Sequence, residues 1–169
     1  MRTIEDLIKE HRFFKDLSSE HIETIAGCGK NMVFKSGEYL AREGNPADQF
    51  YVIRQGKVAI DIVTVEKGTV IVQTVQDGEI VGWSWIIEPY YWRFDVRAVE
   101  TTHAVALDGK CLRGKCEKDH DLGYALLKRF SGVLARRLEV ARLQFLDVYG
   151  VQQGQAAVQK TKGKRHGTK

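Results

Sequence analysis

The stretch Phe34-Lys-Ser-Gly-Glu-Tyr-Leu-Ala-Arg-Glu-Gly-Asn-Pro-Ala-Asp-Gln-Phe-Tyr-Val-Ile-Arg-Gln-Gly-Lys-Val58 decides the fold of this chain. Gly37, Gly44 and Gly56 stand at the ends of short apolar runs, as turns between strands require of residues without a Cβ. Tyr39 and Leu40 lie in the first run, and Asn45-Pro46-Ala47-Asp48 makes a turn. Phe50 to Ile53 is an apolar strand closed by Arg54-Gln55-Gly56-Lys57, after which Val58, Ile60, Ile62 and Val65 resume a strand. The whole stretch reads as β.

Outward from it, strands are predicted from Met32 to about Leu107, broken at Gly37, Gly44, Gly56, Gly68, Gly78 and around Pro89. That rhythm fits a roll of short antiparallel strands. On the N-terminal side, Ile4, Leu7, Ile8 and His11 space out a short amphipathic helix over residues 3–12. Ser18-Ser19-Glu20-His21 caps a second helix, with Ile22, Ile25 and Ala26 on one face and Gly27 and Gly29 as its stop. Beyond Asp108-Gly109, Leu112 begins a short helical turn, and a long helix starts at Asp119 with Asp121 complementing its dipole. Leu127, Ser131, Leu134, Leu138, Ala141, Phe145 and Val148 form a heptad seam, beside a second stripe of Leu126, Phe130 and Val133. Two stripes on one helix predict a face packed on the roll and a face for a partner helix in a homodimer.

The fold class is therefore mainly β with flanking helices: a double-stranded, jelly-roll-like β-roll with N-terminal helices and a long C-terminal helix. One domain is expected over residues 1–148, helical over 1–30, β-roll over 31–108 and helical again over 109–148. Residues 149–169, with few large apolar side chains, read as a basic, disordered tail.

At 169 residues the chain suits one domain with a real core. Its net charge of +4 is concentrated in the tail, where Lys160, Lys162, Lys164, Arg165 and Lys169 supply five positive charges, so the folded part is near neutral. Composition thus gives no general phosphate-binding surface, and the tail reads as solvated. No run of 18 apolar residues suggests a membrane span, and residues 1–20 are too charged for a signal peptide, so the expected location is cytoplasmic. Cys28, Cys111 and Cys116 lack the spacing of zinc or redox pairs and read as ordinary thiols of a reducing compartment. The roll offers His103 as its one histidine, with His11 and His21 in the helices, and no nucleophile has a recognisable partner. No catalytic residue, metal site or cofactor is expected.

The run of Phe34, three glycines, Pro46-Ala47 and Phe-Tyr-x-Ile-x-x-Gly-x-Val from Phe50 to Val58 resembles the cyclic-nucleotide-binding domains of catabolite activator proteins and kinase regulatory subunits. The resemblance covers roughly residues 10 to 148 and implies a non-enzymatic regulatory domain. In the transcription-factor branch the long helix leads into a helix-turn-helix domain, for which the 19 residues after Gly150 are too few, so DNA reading of that kind is not expected.

The resemblance also implies a ligand cassette. In the family a Gly-Glu pair offers backbone N–H groups and a carboxylate to the phosphate and the ribose 2′-OH, and a later Arg neutralises the cyclic phosphate. A buried phosphodiester needs a guanidinium and several donors. Here the corresponding stretch runs from Asp77 to Ala98. Gly78-Glu79-Ile80-Val81 fits an earlier glycine-acid pair, which makes Gly82 the cassette glycine and puts Trp83 where the ribose-binding Glu belongs. Counting forward places Arg93 at the phosphate-binding Arg, whereas counting back from Val96-Arg97-Ala98 places Trp92 there; the cassette is one residue short. Arg97 reads as a surface or ion-pair residue.

Trp83, Trp85, Tyr90, Tyr91, Trp92 and Phe94 crowd six rings into twelve residues. Two readings stand. In one, a sensor binds cyclic AMP, cyclic GMP or a related small molecule through Gly82, Trp83, Ser84, Trp85, Trp92, Arg93 and Phe94. Arg93 takes the phosphate, N–H groups near Gly82 and Ser84 assist, and Trp83 or Trp92 stacks on the base. In the other, the rings fill the nucleotide cavity and the domain is a ligand-free dimerisation or adaptor module.

Overall fold

The computed structural model describes residues 2–163, with side chains over 2–147. Two four-stranded antiparallel sheets face each other. The first runs in the order β1 (Gly29–Phe34), β8 (Thr102–Asp108), β3 (Gln49–Gln55), β6 (Ile80–Val81). The second runs β2 (Tyr39–Ala41), β7 (Asp95–Ala98), β4 (Lys57–Thr64), β5 (Gly68–Gln76). This is the β-roll that the glycine-marked turns predict.

Strand β3 shows how the residues divide. Side chains alternate across a strand: Tyr51 and Ile53 join the core between the sheets, with Phe34, Val58, Ile60, Val96, Ala104 and Ala106. Phe50 and Val52 are buried outside that core. Tyr51 pairs with Ala106 and Ile53 with Ala104, so small residues on β8 face large ones on β3.

The helices begin where the caps predict. Thr3 and Asp6 form a capping box for α1 (Ile4–Glu10), and Ser18 caps α2 (Ser19–Ala26). Asp108 caps α3 (Gly109–Lys118), and α4 runs from His120 to Gly163. Helical backbone thus continues past Val148. The stretch read as a disordered tail, residues 149–169, has helical backbone as far as Gly163; side chains from residue 148 on and residues 164–169 lie outside the described residues.

The chain divides into two compact units, one reaching Arg129 and one beginning at Phe130. In the first, Leu112, Leu122 and Leu126 are buried. Along the second, Leu138, Val140, Leu143, Phe145 and Leu146 are exposed.

The cysteines correct the sequence reading. Cys28 and Cys111, 83 residues apart, are joined in a disulfide with their Cα atoms 5.9 Å apart, and Cys116 is a free thiol. Sequence spacing gave no sign of the pair because the sheet creates it. Gly29 of β1 lies opposite Leu107 of β8, which brings the residue before β1 beside the first turn of α3.

Candidate functional site

Strand β6 ends at Val81 and delivers the chain to Gly82, at φ +99°, where an L side chain is strained. Space makes the same demand. A Cβ on Gly82 would stand 2.5 Å from Cη2 of Trp92 and 3.1 Å from Cβ of Phe50.

From Gly82 to Phe94 the chain turns without forming a helix. The Ile86 N–H bonds the Trp83 carbonyl at 3.3 Å and the Tyr90 N–H bonds the Ile87 carbonyl at 3.1 Å. Pro89 supplies no N–H and disfavours helical geometry at Glu88, so the stretch forms single turns. The end of this stretch is stitched to the Asn45-Pro46-Ala47 turn. Trp92 N–H donates to the Asn45 carbonyl at 2.9 Å, Gly44 N–H to the Trp92 carbonyl at 2.9 Å, and Ala47 N–H to the Tyr90 carbonyl at 2.6 Å.

So held, Trp92 lies within the core, 7% exposed, with its ring 6.3 Å from that of Tyr51 at an interplanar angle of 25°. The Tyr51 hydroxyl donates to the Leu40 carbonyl at 2.8 Å, and burial pushes its pKa up to about 12. Gly82, Trp92 and Tyr51 therefore form one packed unit between the sheets.

Apart from Phe94, the other expected site residues are not part of that core. Trp85 is fully buried against Phe50, the rings stacked at 4.8 Å and 15°, and Phe50 is on the face of β3 opposite Tyr51. Ser84 is buried, Trp83 is half-buried, and Phe94 packs against the core between the sheets. Arg93 is exposed and has no hydrogen-bond or ion-pair partner among the described residues. Arg97 is an ion-pair residue, its Nε 2.9 Å from Oδ2 of the buried Asp61.

Two residues at the cassette escaped the sequence reading. Tyr51 was legible in principle, because alternation along β3 turns it to the same side as Ile53. Arg113 carries no sequence signal: it reaches the cassette from α3, donating through Nη1 to the Trp85 carbonyl and lying 4.1 Å above the ring of Tyr90. Tyr90 itself sits at φ +59°, a strained backbone held by that contact and by the Ala47 N–H.

The profile of the cyclic nucleotide-binding domain matches residues 31–119, just over half of the chain, from the start of the roll to the end of α3. The chain belongs to the cyclic nucleotide-binding domain family. Its domain is 28% identical over 57 residues to the cGMP-dependent protein kinase egl-4 of Caenorhabditis briggsae, which is 34% of this chain and 8% of the kinase. It is 26% identical over 83 residues to a cyclic nucleotide-gated cation channel protein of Drosophila melanogaster, 49% of this chain and 12% of the channel protein. The chain thus spans a small part of the curated relatives it matches.

Among solved structures, a cyclic nucleotide-binding family protein from Geobacter metallireducens GS-15 superposes with a TM-score of 0.72 at 28% identity, covering 82% of this chain and 99% of that one. The cyclic nucleotide-binding domain from Methylobacillus flagellatus kt gives 0.72 at 22% identity, with 85% and 81% covered. The regulatory domain of Toxoplasma gondii PKA with cAMP gives 0.65 at 16% identity, with 79% and 49% covered, a likeness of fold. Among the described residues of this cyclic nucleotide-binding domain, no helix is long and apolar enough to cross a membrane.

Proposed function

We propose that this domain is a non-catalytic regulatory module whose nucleotide cavity is occupied by its own Trp92. On this reading it acts through the long helix as a homodimer and does not answer to cyclic AMP or cyclic GMP. The observation that carries the reading is the packing of Trp92 against Gly82 and Tyr51 between the sheets. Several relatives are named for cyclic nucleotides, and that activity is the one this chain would share if its cassette were intact. A cyclic phosphodiester in such a cavity needs a guanidinium beside it and an acceptor for the ribose hydroxyl. Here Arg93 is exposed and Trp83 stands in place of the acceptor. Removing Trp92 from the core to admit a nucleotide would lose the burial of a large aromatic ring.

A second reading is favoured by Arg93, whose guanidinium is exposed and unpartnered among the described residues. On that reading the domain is a sensor in which a ligand displaces Trp92 and recruits Arg93. Calorimetric titration with cyclic AMP and cyclic GMP, with Arg93→Ala beside the wild type, separates the two. The filled cavity predicts no heat with either nucleotide. Saturable binding lost in Arg93→Ala establishes the sensor instead.

A further inference from the structure

We propose that the Cys28–Cys111 disulfide is a thiol-responsive modification site, a latch that sets how firmly α3 holds the cassette. The inference concerns α3 and stands whether or not Trp92 excludes nucleotides.

Helix α3 is held from two sides. Toward the cassette, Arg113 grips the Trp85 carbonyl and the Tyr90 ring, and Gly109 packs so closely that a Cβ there would lie 2.9 Å from Cβ of Trp85. The Gly109 N–H donates to the Asp48 carbonyl at 2.7 Å, and Lys110 pairs with Asp48 at 3.0 Å. Toward the N-terminal segment, the Lys115 ammonium donates to the Thr24 carbonyl at 3.2 Å and the Asp108 N–H to the Cys28 carbonyl at 2.9 Å. The single covalent tie on that side, among the described residues, is the disulfide. Breaking it leaves that side of α3 without a covalent tie, and the polar contacts there, with the 3.1 Å contact of His21 Nε2 and Asp119 Oδ2 among them, are each of modest worth.

Cys28 is 8% exposed and Cys111 is half-buried. A cavity of about 250 Å³ lies against both cysteines, lined also by Gly27, Lys30, Gln49 and Asp108, and it is the route by which a thiol would reach the bond. A dithiol reductant's thiolate attacks one sulfur, and the other leaves as a thiolate and takes up a proton. The reductant's second thiol then displaces the mixed disulfide. Two electrons and two protons pass to the protein, giving two cysteine thiols and the oxidised reductant. In a reducing compartment, the setting expected from the sequence, a disulfide is usually reversible and redox-sensing. Strain at Tyr90 gives the latch something to act on, since loosening α3 loosens the arginine over that ring.

The test uses the full chain carrying Cys116→Ser, purified without reductant. Native protein is treated with dithiothreitol, its free thiols are counted by alkylation and mass spectrometry, and amide hydrogen exchange is followed by peptide. We expect two newly alkylated cysteines in protein that stays folded, with exchange several-fold faster in α3 and in residues 84–92 than in the strands. A Cys28→Ser/Cys111→Ser variant should show the same pattern without reductant. The latch is overturned if the pair resists the dithiol in the native protein, if reduction unfolds the whole domain, or if both thiols are released while exchange in α3 and the cassette stays unchanged.

Discussion

At Gly82 two requirements coincide, a backbone at φ +99° and a ring of Trp92 lying where a Cβ would go. Gly82→Ala should cost about 3 kcal/mol, from left-handed strain plus overpacking. Trp92→Ala should cost roughly 3–5 kcal/mol by leaving a cavity. Because the clash with Trp92 disappears when the ring does, while that with Phe50 stays, the double variant should be more stable than the sum of the two losses implies. Urea denaturation of the four proteins checks this, and strict additivity would remove Trp92 from the neighbourhood of Gly82. His11 is a second residue with a measurable signature. Its Nδ1 accepts from the Phe13 N–H at 3.2 Å, and burial, with Arg12 beside it, lowers its pKa to about 4 from the ordinary 6.5. It borders a cleft of about 440 Å³ faced by Arg2, Glu10, Arg54 and His103. A depressed pKa means that the neutral form is the folded form. The stability it contributes is therefore complete above pH 6.5 and is lost as pH falls toward 4. The urea midpoint should decline over that window, and His11→Gln should flatten the decline. Asp6 and Asp119, both lowered from 3.8, chiefly by a backbone N–H hydrogen bond in each case, add their own loss only at lower pH.

Among the elements, strands and helix starts were legible because they rest on local chemistry: alternation along Phe50–Ile53, Ser18 as an N-cap, glycine at the turns. The cassette was legible only as far as Gly82. Where the shortened loop puts Trp92 and Arg93 is decided by its hydrogen bonds to Asn45 and Ala47, some 45 residues earlier in the chain, and spacing within the loop cannot express that. Choosing which of two neighbours turns inward took the fold. The sequence marks α3 only as a short helical turn at Leu112, with no hint that Arg113 spans from it to Trp85 and Tyr90. Replacing Arg113 with Ala removes a charged donor from a carbonyl and a cation from an aromatic face, a loss of about 2 kcal/mol. The local consequence is the sharper check: exchange protection should drop around Tyr90 and leave β3 and β8 unchanged. Equal protection at Tyr90 in Arg113→Ala and wild type would mean that α3 does not hold the cassette.

For the whole molecule, the sequence reading located the positive charge in the tail and the apolar seam on the long helix, since both are patterns along one element. The disulfide was hidden because it joins residues that only the completed sheet brings together. Closing a loop across 83 residues is worth about 4–5 kcal/mol in the chain-entropy account, so reduction should lower the urea midpoint of the Cys116→Ser protein. Leu138 and Phe145, both seam residues, are exposed along the helix. We expect sedimentation equilibrium to give a dimer at micromolar concentration, and Leu138→Asp or Phe145→Asp to give a monomer; a wild-type monomer would remove the dimer. The proposed filling of the cavity by Trp92 can be tested ring by ring, because the chain has three tryptophans and hence three indole N–H signals in a nitrogen-correlated NMR spectrum. With those signals assigned through single Trp→Phe variants, cyclic AMP is added in millimolar excess. The Trp92 signal should stay where it is in the free protein; its displacement as the nucleotide binds would show that the ring is a gate and not a filling.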